Sequence, residues 1–140
     1  MRLRRPGFTF IEILLAMAVF GILSSIALPK YRMMKEKAYK ATLQANLGEM
    51  RVAQESYWAE NQSYTTDVAV LDWRPTSDVS IVLSAADPIS GFQARARHAL
   101  MADTECSTAM GNETTLGVAA GDIICGPATA DPPVASPLAN

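Results

Sequence analysis

From Phe8 to Leu28 the chain runs 21 residues with one ionisable side chain, Glu12. As a helix this stretch is about 31 Å long, close to the roughly 30 Å hydrocarbon core of a bilayer. It follows Met1–Gly7, which carries Arg2, Arg4 and Arg5 and no acid. A basic start before an apolar run is the layout of a secretory signal. Three features set this segment apart from a cleaved signal. The run exceeds the usual 7–15 residues of a signal's apolar region. No small-residue cleavage site follows it, since Leu28-Pro29-Lys30-Tyr31 leads into a basic helical stretch. Glu12 lies inside it, where an acid costs about 2.5–3.5 kcal/mol at mid-membrane on insertion scales. The N-terminal arginines predict a cytoplasmic start, with the bulk of the chain exported.

Averages conceal this arrangement. The 140 residues have a formal charge of −2, are 49% hydrophobic and are 19% charged, as in an ordinary acidic domain. Such a composition excludes collagen, a charged disordered chain and a disulfide-dense miniprotein. Yet Lys30–Lys40 holds five basic residues against Glu36, while residues 41–140 hold four basic residues against twelve acids. The exported part is strongly acidic, which argues against direct nucleic-acid contact.

Beyond Pro29 a helical pattern continues. Tyr39, Leu43, Leu47, Met50, Ala53 and Tyr57 form one apolar stripe, and the helix is expected to end near Asn61. From Phe8 to Asn61 a continuous helix would be about 81 Å long. Its lower part must then be buried in lipid or in other copies. Pro29 lacks an N–H and predicts a kink, and Gly21 is a second weak point. Val79–Ser84 reads as a strand, Asp87–Gly91 as a turn, and Phe92–Ala99 as an alternating strand. Phe92, Ala94, Ala96 and His98 share one face of it, with Gln93, Arg95 and Arg97 on a solvated one. Short strands are expected near Cys106–Met110 and Asp122–Cys125, with a loop over Gly111–Gly121 between them. Four prolines after Gly126 predict a disordered or extended tail.

Cys106 and Cys125 are the two cysteines. In an exported domain an even count predicts a disulfide, here closing a loop worth roughly 3 kcal/mol. A redox or metal role would call for a CxxC spacing or a nearby histidine. His98, the single histidine, sits on the inward strand face and reads as a packing residue. No catalytic triad order, phosphate loop or metal cluster is apparent, so neither an enzyme nor a cofactor is expected.

Gly7-Phe8-Thr9-Phe10-Ile11-Glu12, the apolar helix with Gly21, and Pro29 before Tyr31 together resemble the N-terminus of type IV prepilins. Residues 1 to about 31 carry the resemblance, and Phe10 stands where the family more often has Leu. The resemblance implies an α+β fold, with a long N-terminal helix packed on a small antiparallel sheet. Together with the patterns above, it divides the chain into a leader (1–7), a membrane and polymerisation helix (8–29), an amphipathic upper helix (30–61), a β head (62–126) and a tail (127–140). Prepilin peptidase would cut between Gly7 and Phe8 and methylate the new amino group of Phe8. Glu12 would pair with that amine on a neighbouring subunit. Such a pair sets register more than it adds stability. Gly21 and Pro29 would bracket a segment that loses helix on polymerisation. The implied function is a structural pilus subunit, held in the inner membrane and then assembled into an extracellular fibre. Its implied partners are other copies, the assembly platform and minor pilins. A type II secretion pseudopilin and a minor tip pilin share this N-terminus. Major pseudopilins commonly bind calcium and often lack the C-terminal disulfide. Asp103, Glu105, Glu113 and Asp122 show no ordered oxygen-ligand pattern here, and the cysteines favour a pilin.

Overall fold

A computed structural model describes residues 7–112 and 119–129. The order of elements is α1 (Phe10–Asn61), a 3-10 turn (Val68–Val70), β1 (Val79–Ser84), β2 (Gly91–His98), β3 (Met101–Gly111) and β4 (Ile123–Pro127). The chain divides into two units, Met1–Lys37 and Ala38–Asn140.

In the first unit the described residues form the start of α1. Its apolar side chains, from Phe10 and Ile11 to Leu28, are exposed rather than packed in a core. An 18-residue window of α1 has mean hydropathy 2.3, apolar enough to cross a membrane. Gly21 and Pro29, expected to weaken the helix, both lie inside unbroken helix. A proline removes one hydrogen bond and costs about 3 kcal/mol, while the turns on either side keep theirs. The loosening is expected of the assembled state.

In the second unit the end of α1 lies on a four-stranded antiparallel sheet of order β1-β2-β3-β4. Leu43, Leu47 and Met50 are fully buried, and Tyr39, Ala53 and Tyr57 continue the stripe half-buried. Leu43, Leu47, Met50, Ala53 and Tyr57 meet Val79 and Leu83 of β1, Phe92, Ala94 and Ala96 of β2, and Cys106 of β3 in one core. Each large side chain so buried contributes about 1.5–3 kcal/mol. The methyl side chains of Ala94 and Ala96 on the central strand leave room for the helix to approach. The helix ends at Asn61, where Gln62 takes a left-handed φ of 54° and donates its N–H to the Trp58 carbonyl (2.8 Å).

Three expectations change. β3 begins at Met101, five residues before the expected strand, because Ala99 and Leu100 form a tight turn that lets it pair along β2. The turn is held by Ala99 N–H on the Asp78 carbonyl (2.8 Å) and Leu100 N–H on His98 Nδ1 (3.1 Å). The face of β2 with Gln93, Arg95 and Arg97 is not solvated. Gln93 is buried, and Arg97 pairs with buried Glu105 on β3 at 2.8 Å. The third change is at the start of the tail. Pro127 belongs to β4, Ala128 N–H donates to the Asp103 carbonyl (2.9 Å), and the Thr129 carbonyl accepts from Arg97 Nη2 (2.6 Å). Arg95 Nη1 reaches Thr129 Oγ1 at 3.2 Å, so the end of the described chain straps the basic strand face. Residues 130–140 of the expected tail, and Arg2, Arg4, Arg5 and Glu113, lie outside the described residues.

Candidate functional site

The sequence places the candidate assembly residues at the head of α1. Gly7, Phe8 and Thr9 precede the helix and are exposed. Thr9 and Glu12 cap one another. Thr9 N–H donates to Glu12 Oε2, and Glu12 N–H donates to Thr9 Oγ1, each at 3.4 Å. This is the reciprocal capping box of a Thr-x-x-Glu start. The first four N–H groups of a helix have no partner within it, and a carboxylate there is also favoured by the helix dipole. Glu12 therefore has a partner in its own chain, an arrangement the Thr9-Phe10-Ile11-Glu12 spacing spelled out and the sequence reading overlooked. A cut between Gly7 and Phe8 would leave the Thr9 amide intact, so the box survives it.

Below the cap, Glu12, Leu15, Ala16, Val19, Phe20 and Leu23 line one shallow, almost wholly apolar groove along the helix. Steps of three and four residues put them on one face. The rest of the circumference is equally greasy: Ile13, Leu14, Met17 and Ile22 are each about half or more exposed. A helix that is apolar all round is stable in lipid or among other helices, not in water. Ser25 satisfies its hydroxyl locally on the Ile22 carbonyl (2.7 Å). Beyond Pro29 the exposed side chains turn basic, and the Lys35 ammonium lies 5.1 Å from the centre of the Tyr31 ring.

The candidate residues of the head are bonded or packed. Cys106 and Cys125 are opposed in the β3–β4 register and joined as a disulfide. Their pairing ties the C-terminal strand to the sheet. His98 is buried beside Tyr39, with ring centres 4.3 Å apart, and its Nδ1 accepts a backbone N–H. It is engaged in packing. Among the described residues no group of three or more His, Cys, Asp or Glu side chains could hold a metal ion.

Two buried amides and one arginine of α1 escaped the sequence reading. Asn46 and Gln54 interrupt the apolar stripe, and each binds backbone of the loop that follows the helix. Gln54 Nε2 donates to the Thr65 carbonyl (2.6 Å), and its Oε1 accepts from Thr65 N–H (3.1 Å). Asn46 Oδ1 likewise accepts from Thr76 N–H (2.9 Å), while its Nδ2 donates to the Thr76 side-chain hydroxyl (3.1 Å). Arg51 Nη1 donates to the Gly121 carbonyl (2.7 Å), fixing the approach to β4. The only sequence signal for the amides was their phase: both fall on the buried side of the stripe.

Residues 2–28 match the prokaryotic N-terminal methylation motif. The chain is 32% identical over 62 residues to the type IV major pilin protein PilA of Myxococcus xanthus, covering 44% of this chain and 28% of that one. It is 34% identical over 65 residues to the type IV wide pilus major component PilA4 of Thermus thermophilus, covering 46% and 50%. With the type IV major fimbrial protein FimA of Dichelobacter nodosus it shares 26% identity over 98 residues, covering 70% and 58%. The chain thus spans less than two thirds of each of these relatives.

Proposed function

We propose that this chain, which carries the prokaryotic N-terminal methylation motif, is a structural subunit of a type IV pilus. One observation carries the reading. Within the motif, the first part of α1, from Phe10 to Leu28, is apolar and exposed on every side. Such a surface is costly in water. Lipid covers it in a single subunit, and the helices of other copies cover it in a fibre.

In this reading prepilin peptidase cuts Gly7–Phe8 and methylates the Phe8 amine. Before that cut Arg2, Arg4 and Arg5 hold the N-terminus in the cytoplasm; the processed subunit then waits in the inner membrane with the head outside, where a disulfide persists. The assembly platform and minor pilins then feed it into the fibre. Glu12, oriented by its capping box, exchanges one of its contacts for the ammonium of a neighbouring Phe8. Both groups are costly in an apolar bundle unless paired, so the exchange fixes one axial register. Gly21–Pro29 gives way on assembly, because its one missing donor makes it the weakest segment of the helix. Calcium plays no part in this reading, nor does any cofactor.

Intact mass of fibres sheared from the producing cell tests the proposal. The expected chain starts at Phe8, is one methyl heavier, and lacks two hydrogens for the disulfide. A fibre subunit that retains Met1–Gly7 overturns the processing. Glu12→Ala is expected to leave processing intact and abolish the fibre.

A further inference from the structure

We infer that the head carries a docking groove for the basic helical segment of a second copy of this chain. This rests on the polymer reading above and names the contact within it.

The groove has a volume of about 520 Å³ and lies between α1 and the loop after the 3-10 turn. Glu49, Val52, Ser56 and Glu60 form its helical wall, at spacings that put them on one face. Val70, Asp72 and Trp73 form the other. The Trp73 indole donates to Glu49 Oε2 (3.1 Å), which ties the two walls together. Val52 and Val70 are 68% and 52% exposed, an apolar floor without cover. Glu60 and Asp72 are exposed acids at its rim, and Asp72 faces the groove without a cation among its lining residues.

The same chain holds the complement. Lys30, Met33, Met34 and Lys37 recur at three- and four-residue steps on one face of α1. Met33 and Met34 are 59% and 62% exposed. This face is an apolar centre between two cations about 10 Å apart along the helix. The groove is an apolar floor with the acids Glu60 and Asp72 exposed at its rim. Methionine fills irregular apolar surface well, and opposite charges at the rim fix orientation and register. Neither surface is satisfied by its own surroundings, and a second copy brings both at equal concentration.

Mixed crosslinking in the full-length chain tests this. The only two cysteines are joined in the disulfide, so a single introduced thiol reports cleanly. Cells would co-produce Val52→Cys and Met34→Cys chains, and a short bis-maleimide would be applied to membranes and to sheared fibres. The expected result is a mixed dimer well above the dimer from either variant alone. Asp72→Lys is expected to lower it about fivefold, and Lys37→Glu on the other chain to restore it. High salt should lower it as well. Mixed dimer no greater than in the single-variant controls overturns the inference, as it would if the basic face bound anionic lipid alone. So does an Asp72→Lys loss that Lys37→Glu leaves unrepaired. Fibres that start at Phe8 but give no mixed dimer sink this contact and leave the pilus reading standing. Mixed dimer in membranes of cells that make no fibre does the reverse.

Discussion

Asn46, buried in the helix–sheet interface, grips Thr76 through both ends of its amide. Its Oδ1 accepts from Thr76 N–H (2.9 Å), and its Nδ2 donates to Thr76 Oγ1 (3.1 Å) and to the Thr42 carbonyl (2.9 Å). The contact closes the loop between helix and sheet just before β1. Asn46→Leu keeps the branched shape but leaves the Thr76 N–H without its acceptor. It is expected to cost about 1–3 kcal/mol. Exposed Gln44→Ala, two residues away, should stay within about 0.5 kcal/mol. Urea unfolding of the full chain in detergent, followed by near-UV circular dichroism, measures both.

Gly111 ends β3 at φ +71°, and a Cβ there would sit 1.9 Å from the Ser90 carbonyl oxygen. That oxygen accepts from Asn112 N–H (3.1 Å), so the close approach is part of the strand pairing. Gly111→Ala is therefore expected to lower the melting temperature more than Gly121→Ala. Gly121 also has a positive φ, +87°, but the nearest atom to its Cβ would be 3.7 Å away. Strain alone costs on the order of 1 kcal/mol, and the clash adds to it at Gly111.

Cys106 and Cys125 face one another across β3 and β4. Replacing both by serine is expected to cost about 2–4 kcal/mol, with β4 the first element to open. Amide hydrogen exchange should show protection lost at Ile123–Pro127 before Gly91–His98. Equal loss in both strands would contradict a local role.

Tyr64 donates its hydroxyl to Glu55 Oε1 (3.1 Å) and lies against Phe92, with ring centres 4.9 Å apart. Burial first, then the hydrogen bond to Glu55 and its charge, raise its pKa above the ordinary 10.0. The folded state thus favours the neutral phenol. Its contribution is fully present below about pH 10 and is lost as pH rises through the raised value. Tyr64→Phe should show a shallower fall of melting temperature between about pH 9 and pH 12 than the parent chain. Identical slopes would mean that Tyr64 titrates alike in the folded and unfolded chain.

Much of this was legible in the residues. Tyr39, Leu43, Leu47 and Met50 repeat at helical spacing, and Phe92, Ala94, Ala96 and His98 at strand spacing, because each period reflects one buried face. Less legible were the contacts that join elements distant in sequence. Nothing near Arg97 announces that Glu105 and the Thr129 carbonyl will neutralise it, so its strand face read as solvated. Nothing near Asn46 or Gln54 announces the backbone groups of Thr76 and Thr65.

By itself the sequence determined the greasy segment of 21 residues, its single acid and the basic stretches on either side. Hydrophobicity and charge are properties of each residue, and their order along the chain sets what can lie in lipid. Tertiary structure decided where the polar groups of the head find partners. It set the amides that tether the loop, the disulfide's register and the acidic groove beside Trp73. Those depend on which distant segments meet, and desolvating a polar group is tolerable only where such a meeting supplies its hydrogen bonds.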